Sequence, residues 1–118
     1  MSNFISLEQA VAMTTRYRNE MEAVLAPAYK GKDILPICET FDRSSFDALL
    51  AEQGAMFIRI YLGMGADSKI RVIAVAASEK GDDILPAAGK ALADDGASIV
   101  EDGIRCPTNC PAASPLNT

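Results

Sequence analysis

Two stretches decide the fold: Ala55-Met56-Phe57-Ile58-Arg59-Ile60-Tyr61-Leu62 and Ile70-Arg71-Val72-Ile73-Ala74-Val75-Ala76-Ala77. Both are rich in β-branched and aromatic residues, which fit a pleated, half-buried surface. Between them, Gly63-Met64-Gly65-Ala66-Asp67-Ser68-Lys69 reads as a loose hairpin loop. With Leu62 placed opposite Ile70, side chains alternate between two faces. Phe57, Arg59 and Tyr61 then share one face with Val75, Ile73 and Arg71. Met56, Ile58, Ile60 and Leu62 share the other with Ala76, Ala74, Val72 and Ile70. The second face is wholly apolar and is expected to meet helices. The first is mixed.

Helices are predicted upstream. Ser6 and Gln9 have the spacing of a capping box, in which each side chain satisfies a free N–H of the first turn. Leu7, Ala10, Val11, Thr14, Tyr17, Met21, Val24, Leu25 and Ala28 then recur at spacings of three and four, one apolar stripe on an amphipathic helix. That helix is expected to end near Pro27, with Arg18–Glu22 and Arg16–Glu20 as i,i+4 pairs on its wet side. Residues 28–40 read as a loop broken by Gly31 and Pro36, with Ile34, Leu35 and Ile37 tucked onto the core. A second helix follows, capped by Asp42, Ser44 or Ser45, burying Phe46, Leu49 and Leu50 and stopped by Gly54.

Downstream the pattern is weaker. Asp83-Ile84-Leu85 reads as a third strand or a loop, 86–95 as a short helix, and Ser98-Ile99-Val100 as an edge strand. From Arg105 onward, Pro107, Pro111 and Pro115 argue against regular structure. Lys30-Gly31-Lys32-Asp33-Ile34-Leu35-Pro36 matches Lys80-Gly81-Asp82-Asp83-Ile84-Leu85-Pro86 at six of seven positions. A local turn used twice explains this better than a duplicated unit, because the match stops abruptly at both ends. The expected architecture is α+β: two N-terminal helices packed on a small, mainly antiparallel sheet. Residues 1–104 form one domain, and 105–118 form an irregular Cys/Pro-rich tail packed on it or extending from it.

Composition narrows the functional classes. The chain has 118 residues, 49% of them hydrophobic, with a formal net charge of −5. That length suits one domain able to fold without a metal or disulfide. Its 11 basic residues are scattered, which argues against nucleic acid or an anionic membrane as partner. No apolar run is long enough to span a bilayer, and no signal peptide is visible, so a cytoplasmic protein with reduced thiols is expected. There is no histidine, which removes Ser-His-Asp and Cys-His catalysis and His-ligated metals.

Three groups of residues could carry chemistry. Cys106-Pro107-Thr108-Asn109-Cys110-Pro111 holds a C-x3-C pair, and Cys38 is the one cysteine left to join it. Thiolates bind zinc and iron–sulfur clusters or form disulfides. The spacing is not that of zinc knuckles, however, and a closed zinc site needs four N/S ligands unless a dimer supplies them. The plainer account makes these cysteines small apolar groups in a tail shaped by prolines. The second group is Arg59, Tyr61 and Arg71, whose guanidiniums and phenol could hold a carboxylate, a phosphate or a protein partner. The plainer account packs the arginine stems on the sheet with their heads in water or paired to an acid. The acidic pairs Asp82-Asp83, Asp94-Asp95 and Glu101-Asp102 form the third group. They lack calcium-loop order and read as solvated turns.

The run Thr40-Phe41-Asp42…Phe46…Leu49-Leu50…Gln53-Gly54, then Arg59-Ile60-Tyr61-Leu62-Gly63-Met64, then Cys106-Pro107-x-x-Cys110-Pro111, resembles a family of small uncharacterised bacterial proteins. The resemblance implies that the tail cysteines and the Arg-x-Tyr-x-Gly strand end belong to a pattern. It implies no catalytic residues. With no catalytic constellation beside the mixed sheet face, the expected function is a non-enzymatic binding or interaction module, without a cofactor, using the Arg59/Tyr61/Arg71 face or a sheet edge, whose partner is another protein or a second copy in a homodimer. The alternative is a cysteine-dependent metal-binding or redox protein using Cys106, Cys110 and Cys38, with zinc or an iron–sulfur cluster. An enzyme using carboxylates is the least supported.

Overall fold

The computed structural model describes residues 3–86 and 99–118. The 86–95 helix expectation falls almost wholly outside them. In chain order the elements are α1 (Leu7–Glu20), β1 (Cys38–Thr40), α2 (Arg43–Leu50), β2 (Ala55–Met64), β3 (Ile70–Ser78), β4 (Asp83–Ile84), β5 (Ile99–Val100) and β6 (Ile104–Cys106). Short 3-10 turns cover Met21–Val24 and Pro27–Tyr29. Helices and antiparallel strands occur together, so the fold is α+β as the patterning predicts. Two compact units divide the chain: 1–38 with 105–118, and 39–104.

The second unit is built on β3. β2 pairs with it antiparallel along one side, while β4 and β5 each pair with it along the other. In the β2–β3 register Met64 faces Ile70, Leu62 faces Val72 and Ile60 faces Ala74. The hairpin is thus tighter than the predicted one by a two-residue slip. Strand alternation has period two, so the slip leaves the side chains from Phe57 to Leu62 on their predicted faces. The tight loop is closed by Gly65 N–H to the Lys69 carbonyl at 3.0 Å, and Asp67 accepts from Lys69 N–H at 3.1 Å. Ala55 faces Ser78 and Phe57 faces Ala77, which leaves Met56 as a bulge.

α2 covers only part of the apolar face, around Ile58, Ala74 and Ala76, whereas Ile60 and Leu62, which the sequence pattern places against helices, are exposed. Leu49, Ala74 and Ala76 are fully buried, with Phe46, Ala55, Ile58, Ile84 and Val100 packed around them. The alanines keep the sheet surface low, so the helix can seat Leu49 between strands. Burying a side chain of that size contributes about 1.5–3 kcal/mol. Asp42 is the N-cap residue, but its side chain makes no capping bond; its carbonyl accepts from Ser45 N–H instead. Asp47 pairs with Arg43 at 3.6 Å. The helix ends at Leu50, short of Gly54, which adopts φ +83° in the following turn. Phe41 lies over Gly103, where a Cβ would stand 2.8 Å from the ring, and its ring centroid is 5.6 Å from that of Phe46.

The first unit joins the chain's two outer segments. Ser6 and Gln9 cap α1 reciprocally at 3.0 and 2.9 Å, as predicted. The α-helix stops at Glu20, well before Pro27, and tightens into the 3-10 turn. The predicted Arg18–Glu22 pair does not form. Arg18 instead donates to the carbonyls of Leu116 and Thr118 at 2.5 and 2.8 Å, and Glu22 accepts from Gly31 N–H at 2.6 Å. Free main-chain groups in the tail and loop offer these charges partners that an exposed helix pair cannot match.

Arg105 and Cys106, read from sequence as the start of an irregular tail, form β6 with Ile104, and β6 pairs with β1. Arg105 is buried and donates to the carbonyls of Asp33, Ile34 and Pro107 at 2.6, 2.7 and 3.2 Å. It thereby fixes Asp33, which sits at φ +55°, a conformation uncommon outside glycine. Ile34 is buried, as predicted. The sequence echo is shallow in structure. Gly31 and Gly81 share a left-handed backbone, but Asp33 is left-handed whereas Asp83 lies in β4.

Candidate functional site

Arg59 and Tyr61 stand on the same face of β2, opposite Val75 and Ile73. Both converge on Asp83 of β4, which the sequence reading places in a solvated acidic pair. Arg59 Nη1 lies 2.5 Å from Asp83 Oδ1, and the Tyr61 hydroxyl donates to Asp83 Oδ2. Asp83 faces Ala77 across the far side of β3. The two β2 side chains therefore cross over β3 to reach it, and Val75 and Ala77 below them are buried. A small residue at 77 leaves room for that crossing.

The three groups tune one another. Hydrogen bonds from Tyr61 and then Arg59 hold the Asp83 carboxyl below the usual carboxylate range. The hydrogen bond to Asp83 raises the Tyr61 phenol, and the same carboxylate raises the Arg59 guanidinium. Arg71 is not part of this cluster. It faces Gly63 and pairs with Asp67 at 3.0 Å. Each guanidinium of the predicted pair thus has its own carboxylate, and the face carries apolar surface between two neutralised charges.

The free side of β2 is a second feature. Among the described residues, β2 pairs with β3 alone. Glu39 Oε2 accepts from Val72 N–H at 2.6 Å, so that N–H points away from β2. Leu62–Val72 is then a non-hydrogen-bonded pair. By alternation, Leu62, Ile60 and Ile58 turn their own N–H and C=O groups to the open edge. Ile60, Leu62 and Met64 are also 50%, 75% and 61% exposed. Glu39 was invisible to sequence reasoning because its partner is a main-chain amide. Its Oε1 is buried with no hydrogen-bond partner among the described residues.

The cysteines form the third feature. Cys106 and Cys110 are joined in a disulfide, with Cα atoms 4.5 Å apart, and Cys38 is a free, half-buried thiol. Thr108 and Asn109 N–H both donate to the Arg105 carbonyl, closing the turn that the bond spans. In this state the pair has no thiolate to offer a metal. Among the described residues, no group of three or more acidic or cysteine side chains is arranged to hold one. Glu101 and Asp102 line a hollow of about 230 Å³ with Asp42 and Ser45. The pair Asp94-Asp95 lies outside the described residues.

No protein-family model, no curated protein and no solved structure matches this chain. No helix among the described residues is long and apolar enough to cross a membrane.

Proposed function

We propose that the chain is a non-enzymatic interaction module that self-associates through the open edge of β2. The observation carrying this reading is the ten-residue β2 strand, whose outward main-chain groups belong to the exposed apolar residues Ile60 and Leu62. Long, apolar, unpaired edges are templates for another strand. A second copy fits the pattern by symmetry. An antiparallel pairing with Ile60 opposite its own copy sets Ile58 against Leu62. It sets Arg59, the only charge on β2, against Tyr61 rather than against another arginine. A two-fold interface of this kind is self-complementary.

The test uses the geometry of Ile60. Its N–H belongs to the open edge and not to the β2–β3 ladder, so Ile60→Pro removes an edge donor while sparing the hairpin. Sedimentation across the micromolar range is expected to show a dimer for the native chain and a monomer for Ile60→Pro and Leu62→Lys, with unchanged circular dichroism. A native chain that stays monomeric, or variants that dimerise as well as the native chain, would sink the proposal.

A further inference from the structure

The disulfide is one-sided. Cys106 is 1% exposed, whereas Cys110 lies in an exposed run from Thr108 to Ala113. Cys106 is also held in place by more than the bond. Its carbonyl accepts from Ile37 N–H at 2.8 Å, and Arg105 beside it is tied to Asp33 and Ile34. Opening the bond therefore frees the Cys110 side of the turn and leaves Cys106 seated in β6.

We propose that Cys106–Cys110 is a thiol–disulfide exchange site with a fixed direction: Cys110 is the sulfur that an incoming thiol attacks, and Cys106 is the buried leaving and resolving sulfur. The reductant is a low-molecular-weight thiol. Its thiolate bonds to Cys110 Sγ, the Cys106–Cys110 bond breaks, and the electron pair leaves on Cys106, which takes up a proton. A second thiolate attacks the bound thiol's sulfur, releasing the oxidised dimer of the small thiol and Cys110 as thiolate. Two small thiols are oxidised and one protein disulfide is reduced. In the reverse direction an oxidised small disulfide is attacked by Cys110, and Cys106 then displaces the bound thiol to re-form the ring. The asymmetry follows from access, since exchange needs the attacked sulfur open to an in-line approach.

Glutathione is the probe. Protein prepared without reductant should titrate one free thiol in denaturant, Cys38. Under native conditions, Cys106→Ser should accumulate a mixed disulfide with oxidised glutathione at Cys110, and Cys110→Ser should form one at Cys106 about tenfold more slowly or less. Because Cys110→Ser could loosen the turn, the same order is read on the reduced native chain. A short iodoacetamide pulse should alkylate Cys110 about tenfold faster than Cys106. Three free thiols in the unreduced protein, or equal pulse rates at Cys106 and Cys110, would overturn the assignment. Cys38→Ser should lower the thiol count from one to none and leave the order of the mixed-disulfide and alkylation rates unchanged.

Discussion

Arg59 and Asp83 meet at 2.5 Å although their strands do not pair. The bridge passes over β3, so it ties the two outer strands of the sheet through side chains alone, with Tyr61 as the third member. Such a strap has a pH signature. The Asp83 carboxyl is held below its ordinary range, so its stabilisation is complete above the unfolded value of about 4 and is lost as pH falls through the lower folded value. Tyr61 is raised, so its stabilisation is complete below about 10 and is lost as pH rises through the higher folded value. Urea midpoints recorded across pH should show both limbs. Asp83→Asn is expected to weaken the acid limb, to which the lowered Asp67 also contributes, and Tyr61→Phe to weaken the alkaline one, to which Tyr17, raised by burial, also contributes.

Arg105 predicts a different response. Its guanidinium serves three carbonyls at once, which a lysine ammonium cannot do with the same planar fork. Arg105→Lys should cost about 1–3 kcal/mol, because the buried Ile34 carbonyl and the part-buried Asp33 and Pro107 carbonyls lose good donor geometry. Hydrogen exchange should report the loss at Ile37, whose N–H bonds the neighbouring strand end. Unchanged protection there would count against this role.

Leu49 is the fully buried anchor of α2 on the sheet. Leu49→Ala should destabilise the protein by about 2–5 kcal/mol, since alanines 74 and 76 cannot collapse into the space. Chemical denaturation measures this directly.

Gly103 is tested by one methyl group. A Cβ there would meet three ring atoms of Phe41 at 2.8–3.0 Å, and an aromatic ring yields as a unit. Gly103→Ala should cost about 1–3 kcal/mol. The double variant with Phe41→Leu should lose less than the sum of the two single changes, as read in a double-mutant cycle.

Sequence reading succeeded where the signal was local or periodic. The Ser6–Gln9 box needs only three intervening bonds of helix, and the two faces of the hairpin follow from strict alternation. The β2–β3 register was missed because a slip of two residues preserves that alternation; only the Asp67 and Lys69 contacts in the loop select it. Arg105, Arg18 and Glu39 were missed for a shared reason: each bonds main-chain groups far away in sequence, and such groups have no residue identity to read. Asp83 was within reach. Treating 83–85 as a strand beside β3 would have aligned it with the Arg59 face. The two cysteines were singled out from their spacing, but their bond and its unequal exposure depend on how β6 and the following turn fold.

The first unit draws on 1–38 and 105–118, while the second is one continuous stretch. Arg105 reaches Asp33 and Ile34, and Arg18 of α1 reaches Leu116 and Thr118, only across the whole of residues 39–104. The first unit is therefore held by contacts of long sequence separation, whose loop-closure entropy has to be met before they form, whereas the β2–β3 hairpin closes locally.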